Sequence, residues 1–256
     1  MANKKRWIRH LAILGLVIIV TAYTYATPAQ ETGEFIEIGL PGGGSFRAYR
    51  GGPADADAAI MIVHDWFGIT EFTRRSVDRL GNLGYRVIAV DLYGGESATD
   101  DPTAQRLMNE LDGEMTRSIL RAGLQHLYRD GRRIAVVGFS MGGNIAVNAT
   151  LLEPDLVAAT AVIYGGGIEN HSVEDLRTIG GPLLAITGSD DAWALNSTLA
   201  IRPLMMEAGR PFEFYVYPQA RHAFAQPLFQ GGANFDPTAT RVLWLLLEDF
   251  LDRNLS

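Results

Sequence analysis

Gly138-Phe139-Ser140-Met141-Gly142-Gly143 is the stretch that decides the fold of this 256-residue chain. It follows the apolar run 134–137, which is typical of a buried strand, and precedes residues 144–152, which have the composition of a helix. A serine at the apex of so sharp a turn is held in a strained conformation, and the glycines at 138 and 142 lack the Cβ atoms that would clash there. The pattern predicts a serine hydroxyl that projects above a sheet, in front of the N–H groups that begin a helix.

A strand, a turn and a helix in this order make up the nucleophile elbow of an α/β-hydrolase, whose signature is G-x-S-x-G. The positive end of the helix dipole would stabilise negative charge that forms on a substrate oxygen beside Ser140. The alternative is a glycine-rich turn with an incidental serine, because short motifs also occur by chance. The strand before the motif and the helix after it favour a catalytic Ser140.

The composition is that of one globular domain, with 47% hydrophobic and 20% charged residues. The chain contains no cysteine, which excludes disulfides, thiolate metal sites and a cysteine nucleophile. Its net charge of −7 gives no reason to expect nucleic acid as a partner. We predict no cofactor and no metal: His64 and Asp65 are neighbours, but no cluster of ligands at metal-binding spacing accompanies them.

Residues 1–29 have the pattern of a signal peptide. Basic residues at 4, 5, 6 and 9 precede the apolar run Leu11 to Val20, and small residues before Ala26 and Ala29 suit cleavage. The alternative is an uncleaved membrane anchor, since the run falls short of the ~20 residues that span a bilayer but residues 21–26 extend it. We therefore expect an exported protein, periplasmic or secreted, that contacts a membrane only if this segment is retained. Its removal lowers the net charge from −7 to −11.

Residues 30–256 alternate between apolar strands and amphipathic helices, without a repeat or a domain linker. Continuous apolar runs such as Ile60-Met61-Ile62-Val63 indicate strands buried on both faces. Most connections are long enough to return the chain in parallel, whereas the turn at 41–44 joins two short strands into a hairpin. We predict a single α/β domain with a mostly parallel central sheet, helices on both faces and an N-terminal antiparallel hairpin. Further helices are expected at 70–83, 102–129 with a break near 112–113, 198–208 and 238–251.

A serine hydroxyl needs a base that accepts its proton, and five histidines are candidates. His222 lies in the loop after the last predicted strand, where the chain order Ser…Asp…His places the base. His64 ends the third strand and is the one serious competitor. His10 lies in the leader, and His126 and His171 are interpreted as ordinary helix and loop residues.

Two acids stand at the exit of a strand between the serine and His222, namely Asp190 and Asp191. A carboxylate in this place would hold the imidazole tautomer and stabilise the imidazolium. Because adjacent loop side chains point in different directions, we expect one of them to face His222 and the other to cap the following turn.

The chain resembles the dienelactone hydrolase family of α/β-hydrolases over nearly all of its length after the leader. Five separated motifs carry the resemblance: His64–Gly68, Asp91–Tyr93, Gly138–Gly143, Gly188–Asp191 and Tyr217–Phe224. The family pattern G-x-x-D implies that Asp191 is the acid, and the pattern Y-x-x-A-x-H-x-F implies that His222 is the base. The resemblance also implies that the backbone N–H groups of Met141 and Trp66 are the oxyanion donors.

Three residues depart from the family pattern. The typical family nucleophile is a cysteine, where this chain has Ser140. The member best known for lactone hydrolysis has a glutamate, which pairs with the resting thiol, in place of Asp65, and an arginine, which binds the substrate carboxylate, in place of Gln226. The resemblance therefore implies the fold and the hydrolase class, but not the dienelactone substrate, and we expect neutral substrates to be preferred. Four arginines of other loops are candidates to replace the missing one: Arg47, Arg50, Arg74 and Arg221.

The leading hypothesis is a serine hydrolase that cleaves a small-molecule ester or lactone through an acyl-enzyme. Residues near the predicted site are candidates for its substrate pocket: His64, Asp65, Phe67, Tyr93, Phe224 and Gln226. A peptidase or amide hydrolase with the same triad is a second hypothesis. A non-catalytic α/β-hydrolase scaffold that binds a ligand is a third. The sequence does not indicate an oligomeric state.

Overall fold

The apolar runs of the sequence form the strands of one central sheet. A computed structural model describes residues 31–128, 131–227 and 229–256, and Glu31–Ser256 is one compact unit. The strands are β1 (Glu34–Gly39), β2 (Ser45–Gly51), β3 (Ala58–Val63), β4 (Arg86–Val90), β5 (Arg133–Phe139), β6 (Val157–Ile163), β7 (Leu183–Gly188) and β8 (Phe212–Tyr217). The helices are α1 (Glu71–Asn82), α2 (Asp101–Asn109), α3 (Gly113–Leu127), α4 (Met141–Leu152), α5 (Val173–Thr178), α6 (Ala192–Ala208) and α7 (Pro237–Leu255). The predicted signal or anchor segment, 1–29, lies outside the described residues.

The sheet is mostly parallel, and its strands lie in the order β1-β2-β4-β3-β5-β6-β7-β8. Strands β3 to β8 run parallel to one another, and β1 pairs with β2 in an antiparallel hairpin. The hairpin continues the sheet, because β2 also pairs antiparallel with β4. The predicted architecture, a mostly parallel sheet with an N-terminal hairpin, is confirmed.

Side chains from both faces of the sheet are buried under helices. Alternate residues of a strand point to opposite faces. Ile60 and Ile62 of β3 share one apolar cluster with side chains of α1 and α7, whereas Met61 and Val63 share a second cluster with side chains of α3 and α4. Burial of each such side chain contributes roughly 1.5 to 3 kcal/mol. The helices therefore cover both faces, which explains why the strand sequence is apolar without interruption.

Capping residues decide where several helices begin. The predicted break near 112 separates α2 from α3, because the Asp112 side chain accepts the N–H of Met115. Helix α6 was predicted from 198 but begins at 192, since the Asp191 side chain accepts the N–H of Ala194. The short helix α5 was not predicted; it has a capping box at Ser172 as its N-terminus. Within the described ranges, no helix is both long enough and apolar enough to cross a membrane.

Candidate active site

Ser140 lies between β5 and α4 in a backbone conformation that residues other than glycine rarely adopt, with φ 53° and ψ −117°. Such a conformation costs on the order of 1 to 3 kcal/mol and persists where the surroundings impose it. The Ser140 N–H donates to the carbonyl oxygen of Ile163 at 2.9 Å, which ties the turn to β6. Gly138 permits the turn, because an added Cβ there would overlap the carbonyl oxygen of Gly142. The strand, the strained turn and the helix are therefore arranged as a nucleophile elbow.

The first turn of α4 lies against the end of β3. An added Cβ at Gly142 would overlap the carbonyl oxygens of Val63 and His64, so glycine is required for this approach. The loop after β3 carries the Trp66 N–H, and α4 begins with the Met141 N–H. Neither N–H donates to an acceptor in the described part of the chain. Free N–H donors beside a serine are the groups that can stabilise an oxyanion.

The Ser140 hydroxyl, the His222 imidazole and the Asp191 carboxylate form a hydrogen-bonded chain. Oγ of Ser140 lies 2.9 Å from Nε2 of His222, and Nδ1 of His222 lies 2.7 Å from Oδ2 of Asp191. Ser140 and Asp191 are buried, while 28% of the His222 side chain is exposed. A proton on Nδ1, donated to the carboxylate, leaves Nε2 free to accept the serine proton.

The two adjacent carboxylates after β7 have different environments. Oδ1 of Asp191 accepts the N–H of Ala194 at 3.1 Å, while Oδ2 faces His222, so one side chain both caps α6 and holds the imidazole. Asp190 is exposed, and its side chain accepts the hydroxyl of Ser189 at 3.0 Å. The expectation that the second acid caps the following turn was wrong, because the two oxygens of Asp191 diverge enough to serve both partners.

His64, the competing base, is fully buried and bonded to the backbone through both ring nitrogens. Nδ1 lies 2.5 Å from the carbonyl oxygen of Asp65, and Nε2 accepts the N–H of Leu92 at 3.2 Å. Burial lowers the pKa of His64, which favours the neutral ring. With both nitrogens engaged, the ring joins the loops after β3 and β4 and has no free lone pair for a serine proton.

A cavity of about 550 Å³ adjoins Ser140. Its polar lining comes from Ser140, His222, Asn144 and Asn234. Its other lining residues are apolar or small: Trp66, Met108, Met141, Gly166, Trp193 and Phe229. No Lys, Arg, Asp or Glu of the described residues lines this cavity, so it presents hydrogen-bonding groups without formal charge.

The six pocket candidates from the sequence lie around this cavity rather than in its lining. His64, Asp65, Tyr93, Phe224 and Gln226 are buried. The Tyr93 hydroxyl donates to the carbonyl oxygen of Trp66 at 3.1 Å and thus steadies the loop after β3. Phe67 and Gln226 line a second cavity, of about 1070 Å³, between α1 and α7. Of the six, Tyr93 therefore supports a residue that lines the first cavity, namely Trp66.

Asp65 and Gln226 form a buried polar pair. Nε2 of Gln226 donates to Oδ2 of Asp65 at 2.5 Å, and Oδ1 of Asp65 accepts the N–H of Phe67 at 2.7 Å. Burial raises the pKa of the Asp65 carboxyl, and these hydrogen bonds oppose part of that rise. Because Gln226 is bonded to Asp65, its amide is not directed into the cavity beside Ser140.

The arginines considered as substitutes for the missing cation lie outside the cavity lining. Arg50 pairs with Glu34, and Arg74 pairs with Glu31. The guanidinium of Arg47 stacks on the ring of Phe35 at 4.1 Å. Arg221 is exposed. Within the described ranges, no group of three or more His, Asp or Glu side chains is arranged to hold a metal ion.

Sequence reasoning missed six residues that line the cavity: Met108, Asn144, Gly166, Trp193, Phe229 and Asn234. Two of them had a signal, because Asn144 follows Ser140 by about one helical turn and Trp193 follows Asp191 by two residues. Phe229 and Asn234 come from the segment between β8 and α7, where a short 3-10 turn begins at Phe229 and no α-helix or strand periodicity indicates which side chains face inward.

A parallel sheet in this order, with a serine elbow after β5 and an acid and a histidine after β7 and β8, defines the α/β-hydrolase fold. The model of the dienelactone hydrolase family matches residues 46–255, and the chain belongs to that family. It is accordingly a hydrolase that acts on ester or lactone bonds.

Two known proteins and one crystal structure are similar to this chain over most of its length. Carboxymethylenebutenolidase 1 of Cupriavidus pinatubonensis is 27% identical over 220 residues, which are 81% of this chain and 91% of that protein. The carboxymethylenebutenolidase of Rhodococcus opacus is 26% identical over 207 residues, covering 77% and 81% of the two chains. The crystal structure of a putative dienelactone hydrolase from Klebsiella pneumoniae superposes with a TM-score of 0.69 at 24% identity, covering 86% of this chain and 98% of that one.

Proposed function

We propose that this protein is an exported serine hydrolase that cleaves uncharged carboxylic esters or lactones through an acyl-enzyme. The observation that carries the proposal is the hydrogen-bonded chain Ser140–His222–Asp191 at the wall of a cavity. Nucleophile, base and orienting acid stand in the order and geometry that acyl transfer requires.

In the first half of the reaction, Oγ of Ser140 attacks the ester carbonyl carbon while Nε2 of His222 takes the hydroxyl proton. The resulting oxyanion accepts hydrogen bonds from the N–H groups of Met141 and Trp66. Asp191 stabilises the imidazolium through Nδ1. When the tetrahedral intermediate collapses, the bond to the leaving oxygen breaks, His222 returns the proton to that oxygen, and the acyl group remains on Ser140.

In the second half, a water molecule attacks the acyl carbon, and His222 takes its proton. Collapse of the second tetrahedral intermediate breaks the bond to Oγ, which recovers its proton from His222 as the carboxylic acid leaves. The 2.9 Å contact between Oγ and Nε2 supports this role, because a general base must lie within hydrogen-bond reach of the proton it moves.

The preference for uncharged substrates rests on the cavity lining, which lacks ionisable side chains other than His222 among the described residues. A substrate carboxylate bound there would lose its water and would meet no cationic partner to offset the cost of that desolvation. The proposal of export rests on the basic residues and the apolar run of segment 1–29.

Incubation with p-nitrophenyl butanoate, followed by rapid acid quench, tests the proposed chemistry. We expect turnover of the ester and a protein adduct with the mass of one butanoyl group, located by peptide mapping on Ser140. Folded protein without ester turnover, or turnover that persists in Ser140→Ala, would refute the proposed function.

A further inference from the structure

Asn144 and His171 form a polar pair at the cavity wall that the proposed reaction does not use. Asn144 lies in α4 and lines the cavity beside Ser140. His171 follows a 3-10 turn, Ile168–Asn170, that packs over α4 and α6. Nε2 of His171 lies 3.1 Å from Oδ1 of Asn144. The contact joins a helix residue close to the nucleophile to a loop about 27 residues further along the chain.

The loop that carries His171 contacts both α4 and α6. Gly167 has a φ of 78° and brings the backbone to the Asn144 side chain, so that an added Cβ would lie 3.8 Å from Cγ of Asn144. The N–H of Ile168, which is fully buried, donates to the hydroxyl of Ser197 on α6 at 3.2 Å. These contacts connect the loop that presents the imidazole to the helix that carries Asn144.

The hydrogen bond decides how the carboxamide of Asn144 is oriented. Oδ1 of Asn144 can only accept a hydrogen bond, so its contact with Nε2 requires that the imidazole N–H is on Nε2, and the amino group, Nδ2, lies on the other side of the carboxamide. Burial lowers the pKa of His171 despite nearby Asp175 and Glu169, which favours a neutral ring with a single N–H. Nδ2 has no acceptor within the described ranges, and Asn144 is half-buried at the cavity wall. The other carboxamide of the lining, Asn234, already donates its amino group to the carbonyl oxygen of His222 at 2.9 Å.

We propose that Asn144 is a substrate-binding residue whose Nδ2 donates a hydrogen bond to a second oxygen of the substrate, and that His171 positions it. This inference rests on the proposed ester hydrolysis by Ser140. Asn144 is four residues after Ser140, about 6 Å along the helix axis. The substrate class is therefore an uncharged ester or lactone that carries an ether, hydroxyl or carbonyl oxygen a few bonds from the scissile carbonyl. An aliphatic ester without that oxygen leaves the donor unpaired.

Matched ester pairs test the inference. In each pair an ether oxygen replaces one methylene, at successive positions of the acyl chain in p-nitrophenyl esters and of the alcohol in alkyl butanoates. The measured quantity is the ratio of kcat/KM for the ether to kcat/KM for its methylene partner. Intrinsic reactivity cancels when the ratio in a variant is divided by the ratio in the wild type. We expect Asn144→Leu to lower the ratio about 5- to 10-fold at one position, as for the loss of one neutral hydrogen bond.

Two further variants separate the contribution of the Asn144 amino group from that of His171. Asn144→Asp keeps the size and the oxygen that faces His171 but replaces the donor by an acceptor, so it should lower the ratio at the same position even if the leucine variant is unstable. His171→Phe should lower the ratio there as well, by about 2- to 5-fold, because the carboxamide is then free to rotate. Asn148→Leu, on the same helix but outside the cavity lining, should leave the ratio unchanged.

The outcomes distinguish this inference from the proposed function. An unchanged ratio at every position in both folded Asn144 variants overturns the role of Asn144. A ratio that falls in those variants but not in His171→Phe overturns the positioning role of His171 alone. Ester turnover by Ser140→Ala would instead overturn the proposed function on which the inference rests.

Discussion

Asp191 contacts His222 with one carboxylate oxygen, and its other carboxylate oxygen caps the N-terminus of helix α6. Oδ2 lies 2.7 Å from Nδ1 of the imidazole, and Oδ1 accepts the N–H of Ala194 at 3.1 Å. The orientation of the imidazole and the start of α6 thus depend on the same buried group. Helix α6 in turn carries Trp193 to the cavity wall, where its ring lies 5.5 Å from that of His222.

Two substitutions of Asp191 separate these roles. Asp191→Asn keeps an oxygen for the Ala194 N–H but presents an amide N–H to His222, which favours the wrong imidazole tautomer, so we expect kcat to fall by about 10⁴-fold. Asp191→Ala removes the helix cap as well and should destabilise the fold by about a further 1 kcal/mol. Ester kinetics and thermal unfolding measure the two effects.

Asp190→Asn is the matched control for these variants. The Asp190 side chain is exposed and contacts Ser189 rather than His222, so its neutralisation should change kcat less than about 2-fold. A large loss of kcat in Asp190→Asn together with a small loss in Asp191→Asn would show that the other carboxylate orients the base.

Ser140→Ala should abolish labelling by a fluorophosphonate probe. The probe reacts with a serine oxygen whose proton a neighbouring base accepts, and the contact of Ser140 with His222 meets that requirement. Labelling followed by intact mass measurement should give one adduct per chain in the wild type. Ser118→Ala, in the middle of α3, should label like the wild type. Persistent labelling of Ser140→Ala would identify a different nucleophile.

A neutral ester should be a better substrate than its analogue with a carboxylate beside the scissile bond. No Lys or Arg of the described residues lines the cavity, and Gln226 is bonded to Asp65. We expect kcat/KM to differ by about tenfold or more, because the carboxylate loses water without gaining a cation. An anionic analogue that is faster at low salt and loses its advantage as salt rises would reveal a cationic subsite.

The stability of Asp65→Asn relative to the wild type should increase with pH. Burial raises the folded-state pKa of Asp65 above its ordinary value near 3.8. A raised pKa means that the protonated carboxyl favours the folded state, and this contribution is lost as pH rises through the folded-state pKa. The asparagine never carries the buried charge, and Gln226 can turn its amide oxygen toward it.

Thermal unfolding of both proteins at several pH values from about 4 upward tests this sign. Asp190→Asn, which neutralises an exposed carboxylate, provides the comparison for a general change of net charge. A stability difference between Asp65→Asn and the wild type that is constant or falls as pH rises would contradict the assignment of a buried, destabilising charge at Asp65.

Export predicts a processed N-terminus. The protein recovered from its source should lack residues through Ala26 or Ala29, because small residues precede both positions after the apolar run. Intact mass measurement of the protein from the soluble and membrane fractions decides the matter. A full-length chain in the membrane fraction would favour the uncleaved anchor.

The succession of strands along the chain and the position of the elbow followed from the sequence alone. Three features were visible without tertiary contacts. The strand periodicity and the glycines around Ser140 are properties of short segments, and the late position of His222 is a property of chain order. The family motifs also indicated Asp191, which the structure brings to the ring of His222. The strands and the elbow were predictable because apolar runs and backbone sterics are properties of short segments. Asp191 and His222 were predictable because the family motifs and the chain order indicate their positions.

Only the tertiary structure decided which side chains surround the serine. His64 was a candidate base until both of its ring nitrogens were found bonded to the backbone. Gln226 was a candidate pocket residue until its amide was found on Asp65, 161 residues earlier in the chain. Asn144 and His171 became a pair through a loop that no periodicity describes. Such contacts join segments distant in sequence, and packing and hydrogen-bond satisfaction select them, so the residue pattern of one segment does not specify them.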